Sequence, residues 1–275
     1  MLDGIGLIPT HAASPFQGDL PILERLGIAQ ARVETRDDWV TRSIDARLGV
    51  AGLPQSGTGQ TTILTGVNAA AAMGRHYGPW VGPSLKPILA GNILKRVSDA
   101  GGTVRLANFY PPQYLIALES GKTRLNAIAT AALSAGAKLE GLDGLGIAPM
   151  LRDPSDSANP EQIKRWAQDF VGSHATVTLF DQWWSDSVGH AMNLSEGQAF
   201  AARLEVFCAA VLEHRQPDTL LLVTSDHGNF EDLSLKTHTF SPVPLAVIGL
   251  GALEFAGVTD LTGIAPALAR VLNLE

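Results

Sequence analysis

The sequence has little cysteine, little charge and no long hydrophobic run. Its 275 residues include one cysteine, Cys208, which excludes an intramolecular disulfide and any zinc site built on two or more cysteines. No run approaches the roughly 18 apolar residues of a membrane-spanning helix. The N-terminus also lacks the basic and apolar regions of a signal peptide. We therefore expect a soluble, cytoplasmic protein.

The charge balance is acidic, because 20 Lys and Arg residues face 27 Asp and Glu residues and give a net charge of −7. Such a surface is a poor electrostatic match for nucleic acids or anionic membranes, so neither is an expected partner. Apolar residues make up 45% of the chain and charged residues 17%, which excludes disorder. The length fits one large domain over residues 1–275.

Short apolar runs rich in β-branched residues alternate with stretches whose apolar residues recur every three or four positions. The first pattern is typical of buried strands and the second of amphipathic helices. Strands are predicted over residues 103–108, 175–180, 219–224 and 244–248. Helices are predicted over residues 59–73, 87–100, 124–135, 160–171, 195–214 and 261–272. This order predicts an α/β fold with a doubly wound, mostly parallel sheet that has helices on both faces.

One stretch departs from this alternation. Residues 110–158 are rich in Gly, Pro and Ser and hold one clear helical pattern. We interpret them as a small insertion or lid within the single domain.

Residues of the types that bind metal ions lie where the predicted strands end, which is where open α/β sheets place their reactive groups. The candidates are Asp3, Asp186, His190, Asp226, His227 and His238. Carboxylate and imidazole ligands together suit zinc or manganese. Six ligands exceed the needs of one tetrahedral ion, so we expect two divalent ions, Mn²⁺ or Zn²⁺.

A polar, glycine-bearing turn at residues 52–62 runs into the predicted helix at 59–73 and carries Ser56. Helix N-termini favour anions, since their N–H groups are free and the dipole is positive there. The turn is no Walker A motif, because Gln60 stands where that motif needs lysine. It is no Gly-x-Ser-x-Gly elbow either, because Pro54 and Thr58 replace both glycines.

Five motifs follow one another along the chain. They are Asp3-Gly-Ile-Gly, Ser56 before a Thr- and Gly-rich helix start, Asp186-Ser-Val-Gly-His190, Ser225-Asp226-His227-Gly-Asn229, and His238-Thr ahead of Pro-Val-Pro. In this order they resemble the alkaline phosphatase superfamily, and within it the branch of cofactor-independent phosphoglycerate mutase and phosphopentomutase. The resemblance covers residues 1–75 and 160–275. It is closest to compact metalloenzyme-domain proteins without the large substrate domain.

The resemblance implies a role for each candidate. Asp186, His190 and His238 would hold one metal ion. Asp3, Asp226 and His227 would hold the other, with the Ser56 hydroxyl as a further ligand and as the nucleophile. Only Met1 and Leu2 precede Asp3, so either the strand that Asp3 would close is nearly absent or the chain starts at an internal methionine.

The expected function is metal-dependent hydrolysis of a small phosphorylated metabolite through a phosphoserine intermediate at Ser56. Hydrolysis is favoured over transfer because residues 76–158 are too few for a mutase-type substrate domain. The alternatives are a phosphomutase of the phosphoglycerate or phosphopentose type, then a phosphodiesterase, then a non-catalytic metal-binding module. The oligomeric state and the substrate stay open.

Overall fold

Helices and strands alternate along most of the chain in the computed structural model, which describes residues 1–140 and 159–274. The α-helices are α1 (Pro21–Arg25), α2 (Ser56–Thr65), α3 (Ala69–Met73), α4 (Lys86–Leu89), α5 (Ile93–Asp99), α6 (Pro112–Glu119), α7 (Ala127–Ser134), α8 (Pro160–Val171), α9 (Trp184–Ala191), α10 (Leu194–His214) and α11 (Ile264–Val271). The strands are β1 (Glu34–Arg36), β2 (Trp39–Ile44), β3 (Val104–Leu106), β4 (Val177–Leu179), β5 (Leu221–Thr224) and β6 (Val243–Ile248).

The strands form two sheets. One has the order β1-β2-β6-β5 and is antiparallel throughout, and the other pairs β3 with β4 in parallel. The α/β class is confirmed, but a mostly parallel sheet is not, because three of the four ladders among the described residues are antiparallel. The β1–β2 hairpin, which the sequence patterns did not predict, accounts for two of these ladders, and the third joins the predicted strands β5 and β6, which run in opposite directions.

Strand β6 lies in the middle of the fold and is buried along its whole length. Ala246 and Ile248 pack into one apolar cluster, together with residues of α8 and α10. Leu245 and Val247 point the other way and pack with residues of α2 and α11. Alternate side chains of a strand face opposite sides, so helices cover both faces of this sheet, as the sequence predicted.

The first three residues lie between the two sheets. The Leu2 N–H donates to the Thr224 carbonyl at 2.8 Å, and the Asp3 N–H donates to the Gln182 carbonyl at 2.7 Å. Leu2 and Gln182 form a parallel bridge. Residues 1–3 therefore link the end of β5 to the chain that follows β4, and they place Asp3 at the carboxyl ends of both strands.

The predicted insertion at 110–158 is described only as far as residue 140, and residues 141–158 lie outside the described residues. Within the described part, α7 packs against α2, α5 and β3, and Ala127, Ala131 and Ala132 are fully buried. Among the residues that the structure describes, no helix is long and apolar enough to cross a membrane.

Candidate metal centre

The six predicted ligands and Ser56 come together at one edge of the sheets. Asp186 and His190 lie one turn apart on α9, and Ser56 is the first residue of α2. Asp226 and His227 directly follow β5, and His238 precedes β6. The starts of α2 and α9 and the loops beside β5 and β6 meet at this edge. Residues that are far apart in the chain therefore lie close together.

The first group of ligands surrounds Asp186. Its Oδ2 lies 3.4 Å from His190 Nε2, and its Oδ1 lies 3.5 Å from His238 Nε2. Asn229 Nδ2 donates to Asp186 Oδ1 at 2.7 Å. Each oxygen of the carboxylate therefore faces one imidazole.

The second group surrounds His227, which is fully buried. Its Nε2 lies 3.2 Å from Asp3 Oδ1, 3.8 Å from Asp226 Oδ2 and 2.9 Å from Ser56 Oγ. The serine hydroxyl is thus in direct contact with one of the predicted ligands, at the start of α2.

His227 belongs to both groups in this geometry. Ligand atoms of Asp186, His227 and His238 lie within 4.8 Å of one another, and so do those of Asp3, Asp226 and His227. The rings of His227 and His238 stack with centroids 3.8 Å apart. His190, whose side chain is 44% exposed, lies at the outer side of Asp186. The two predicted ligand sets are therefore adjacent.

All three imidazoles have the same orientation. Each places Nδ1 near a backbone carbonyl, with His190 at 2.8 Å from Lys236 O, His227 at 3.3 Å from Gly228 O and His238 at 2.7 Å from Pro54 O. The hydrogen-bond network therefore assigns the proton to Nδ1 and leaves Nε2 facing the carboxylates. Metal-binding histidines are oriented by this kind of contact at the second ring nitrogen.

The electrostatics of the site follow from close carboxylates in a buried place. Burial raises the pKa of Asp3 well above its usual range, and the Asp226 carboxylate adds to the shift. Burial opposes protonation of His227, but the carboxylates of Asp226 and Asp3 outweigh it and raise its pKa to about 10. Burial and the nearby His227 lower the pKa of His238 to about 4. A proton held on His227 therefore compensates part of the buried negative charge.

Asp186 is held in the charged form. Burial opposes its ionisation, but the hydrogen bond with His190, the nearby His227 and the hydrogen bond from Asn229 together lower the pKa of Asp186 well below its usual value. An ionised carboxylate between imidazoles is ready to act as a ligand at neutral pH.

The residues fit divalent metal ions. Asp3 Oδ1 is buried and has no hydrogen-bond partner in the described part of the chain, although it faces His227. A buried carboxylate oxygen without a hydrogen-bond donor is costly unless a cation compensates it. The donor set of carboxylates and imidazoles is the one that zinc and manganese accept.

Gly4 permits the close approach of the two ligand groups. Its φ is +74°, and a Cβ atom built there would lie 2.9 Å from both Cβ and Oδ1 of Asp186. Any larger residue would push Asp186 away from its imidazole partners. Gly4 is therefore required for the observed position of Asp186 in the site.

Two positioning residues were not assigned a role from the sequence. Gln60 is fully buried, and its Nε2 donates at 3.1 Å to both Asp3 Oδ2 and Asp226 Oδ2. Asn229, which is also buried, donates to Asp186. The sequence contained one indication of a role for Gln60. It follows Ser56 by four positions in the predicted helix start, and residues at this spacing lie on the same face of a helix.

Asp181 also follows a predicted strand but lies outside the two ligand groups. Its Oδ2 accepts a hydrogen bond from Asn126 Nδ2 at 2.5 Å, and its backbone exchanges hydrogen bonds with the Asn108 side chain. Burial raises the pKa of Asp181 to about 6. This second polar cluster anchors the end of β4.

The chain is similar to known proteins in sequence and in fold. The Metalloenzyme superfamily profile matches residues 162–275, which include five of the six predicted ligands. The alkaline phosphatase from the Antarctic bacterium TAB5 has a similar structure, with a TM-score of 0.61 and 13% sequence identity over 100% of this chain and 97% of that one. The fold is that of an alkaline phosphatase.

Two other solved structures show the same similarity. The cold-active alkaline phosphatase from the psychrophile Shewanella sp. has a TM-score of 0.58 and 16% identity, over 98% of both chains. The PH0037 protein from Pyrococcus horikoshii has a TM-score of 0.60 and 14% identity, over 100% of this chain and 96% of that one. At these identities the similarity establishes the fold.

Proposed function

We propose that the protein is a metal-dependent phosphoester hydrolase of the alkaline phosphatase superfamily, with Ser56 as its nucleophile. One observation carries the proposal: Ser56 Oγ lies 2.9 Å from His227 Nε2, beside two groups of carboxylates and imidazoles whose ligand atoms lie within 4.8 Å of one another. The names of two structural neighbours, both alkaline phosphatases, support hydrolysis.

Seven residues would hold the ions and the reacting group. Asp186, His190 and His238 form the ligand set for one ion. Asp3, Asp226 and His227 form the set for the other, with Ser56 Oγ beside it. When bound, two dications would favour the alkoxide form of the serine hydroxyl and neutralise the charge of a phosphoryl group. Mn²⁺ and Zn²⁺ are both compatible with these ligands.

The chain itself positions the nucleophile. Ser56 begins α2, and the helix start is fixed because the Thr58 N–H donates to the Tyr77 carbonyl at 2.8 Å. Gly57 allows the segment around Tyr77 to approach, since a Cβ atom there would lie 2.6 Å from Tyr77 O. A rigid helix start keeps the hydroxyl in place, which is the main requirement of phosphoryl transfer.

The reaction has two displacements at phosphorus. In the first, a bond forms between phosphorus and Ser56 Oγ while the bond to the leaving oxygen breaks, and the proton lost by the serine hydroxyl ends on that oxygen. In the second, water attacks the phosphoserine, so phosphate leaves and the serine hydroxyl is restored. The substrate would be a small phosphorylated metabolite, and a cytoplasmic location, which the single cysteine suggests, would give access to such compounds.

The test is a screen of phosphomonoesters and phosphodiesters with protein loaded with Mn²⁺ or Zn²⁺. We expect close to two ions per chain and release of inorganic phosphate from a monoester. Ser56→Ala should abolish turnover while it retains the ions, whereas Ser98→Ala on α5 should leave turnover unchanged. Brief reaction of the native protein should add one phosphoryl group to the peptide that contains Ser56.

Other outcomes would identify other functions. An isomerised product with little free phosphate would indicate a phosphomutase, and cleavage of diesters alone a phosphodiesterase. Bound ions without turnover of any ester would leave a non-catalytic metal-binding module and contradict the proposal.

A further inference from the structure

One further buried carboxyl group lies beside the metal centre and belongs to neither ligand group. Glu231 is 1% exposed and follows His227 by four residues, in the loop after β5. The two ligand groups are formed by other residues. A buried carboxylate is costly unless donors or a cation compensate it, so the partners of Glu231 indicate its role.

Three donors from three separate segments of the chain surround this carboxyl group. The Gly6 N–H donates to Glu231 Oε2 at 2.9 Å, and the Asn229 N–H donates to the same oxygen at 2.8 Å. The Thr239 hydroxyl donates to Oε1. A carboxylate only accepts hydrogen bonds, so it suits a site with three donors.

Each of the three donors lies within three residues of a predicted metal ligand. The pairs are Asp3 with Gly6, His227 with Asn229, and His238 with Thr239. Because the backbone has only two soft dihedral angles per residue, such short segments pass a displacement of the donor on to the ligand. Glu231 therefore connects the segments that carry three of the six ligands.

The loop between β5 and β6 needs internal contacts to hold its shape. Residues 225–242, all of them described, contain no helix or strand. The loop carries His227 near its start and His238 near its end, and the Thr239 N–H donates to the Gly228 carbonyl at 3.0 Å. Connections longer than about 12–15 residues without secondary structure are uncommon. Glu231 adds contacts from the middle of this loop to both of its ends.

Two glycines leave the space that the carboxyl group fills. A Cβ atom at Gly6 would lie 2.4 Å from Glu231 Oε1, and a Cβ atom at Gly228 would lie 2.5 Å from the same oxygen. Neither glycine has a positive φ, so the backbone conformation does not demand glycine there. A larger side chain at either position would displace the Glu231 carboxyl group.

We infer that Glu231 is a positioning residue of the metal centre, whose hydrogen bonds hold the segments of Asp3, His227 and His238 at the spacing that divalent metal ions require. The inference rests on the proposed function only in that the centre binds metal ions, and it does not involve the chemistry of Ser56. Loss of a residue that orients metal ligands typically lowers metal affinity by about 10–100-fold.

The experiment compares Glu231→Met with Glu205→Met in calorimetric titrations of metal-free protein with Mn²⁺. Methionine keeps the length of the side chain and removes both acceptors. Glu205 is a matched control, because its oxygens accept the Ile22 and Leu23 N–H groups, each at 2.9 Å, at the start of α1, which carries no ligand. We expect Glu231→Met to bind Mn²⁺ about 10–100-fold more weakly than the native protein. Glu205→Met should stay within about twofold of native affinity.

A third variant, Glu231→Gln, separates hydrogen bonding from charge. Its amide oxygen can still accept from the Gly6 and Asn229 N–H groups, and its amide nitrogen can donate to the Thr239 hydroxyl. We expect it to bind Mn²⁺ about tenfold more tightly than Glu231→Met. If Glu231→Gln binds as weakly as Glu231→Met, the charge acts and not the hydrogen bonds, and positioning is refuted.

A second measurement needs no metal ion. In EDTA, the ring signals of His227 and His238 in nuclear magnetic resonance spectra report the stacking of these rings, whose centroids lie 3.8 Å apart. We expect both signals to shift in Glu231→Met and neither to shift in Glu205→Met. If the native protein bound no Mn²⁺, the proposed function would fail, and these signals would still decide whether Glu231 positions the histidines.

Two further results would overturn the inference. Native Mn²⁺ affinity and native ring signals in Glu231→Met would show that the three segments keep their places without the carboxylate. Equal losses for Glu231→Met and Glu205→Met would show that metal affinity follows overall stability. If Glu231→Met does not fold, Thr239→Val decides, because it removes one donor and keeps the side-chain shape. It should weaken Mn²⁺ binding about fivefold, and native affinity would contradict the inference.

Discussion

Replacing Gln60 with leucine tests how the buried carboxylates are compensated. The amide donates to Asp3 Oδ2 and Asp226 Oδ2, both at 3.1 Å, and the side chain is fully buried. Leucine is similar in size, so the change removes two hydrogen bonds to charged groups and creates little cavity. Such bonds are worth about 1.5–3 kcal/mol each. Because they share one amide group, we expect a total loss of about 3 kcal/mol.

The loss should depend on metal ions. Without ions, the two carboxylates of the Gln60→Leu variant have lost a donor that they share. With ions bound, the cations supply the missing positive charge, and the deficit should fall to about 1 kcal/mol. For a chain of this size, about 3 kcal/mol corresponds to a decrease in Tm of roughly 6–12 °C. Calorimetry of native protein and variant, in EDTA and in Mn²⁺ or Zn²⁺, measures both differences.

The control is Gln168→Leu on α8, an exposed glutamine whose replacement should change stability by less than about 0.5 kcal/mol in either buffer. The reasoning is refuted if Gln60→Leu is as stable as the native protein in EDTA. It is also refuted if the deficit is the same with and without ions, since Gln60 would then act only through packing.

Two further changes test the site and its surroundings. Gly4→Ala and Gly101→Ala both force alanine into a left-handed conformation, at a cost of about 1–2 kcal/mol. Only Gly4 faces Asp186, so titration calorimetry should show at least tenfold weaker metal binding for Gly4→Ala alone. Asp181→Asn should remove a pH-dependent loss of stability. The folded pKa of about 6 lies above the usual 3.8, so native stability falls by about 3 kcal/mol over the whole titration and by about 2 kcal/mol between pH 4.5 and 7.5. Urea unfolding at pH 4.5 and 7.5 should show a smaller fall for Asp181→Asn, and an unchanged fall for the exposed Asp19→Asn.

The sequence predicted the elements that have strong local signals. Three of the four predicted strands contain an observed strand, and the fourth matches β6 except for its first residue, Val243. Helix α8 matches its predicted range because Asn159 caps it and Pro160 starts it. The helix predicted over residues 59–73 is two helices, since Gly66 adopts a left-handed conformation and Asn68 caps α3. The hairpin β1–β2 was not predicted, because its polar residues follow no strict alternation.

The candidate site was predictable for a different reason. Its ligands stand next to strand ends, so a rule about sheet edges was enough to bring Asp186, Asp226 and His227 together. The role of Gln60 was not predictable in this way. Its two acceptors lie 57 and 166 residues away in the chain, and only the folded geometry brings both within reach of one amide group.

The acceptors that orient the three imidazoles belong to the main chain. A side-chain replacement at Pro54, Gly228 or Lys236 does not remove the carbonyl oxygen. The orientation of the three imidazole rings is therefore insensitive to most point mutations at these positions. The ring orientation depends instead on the lengths and positions of the loops that carry these carbonyls, so insertions and deletions there would change it. A change in the length of these loops would therefore misplace the rings even where every histidine and aspartate is kept.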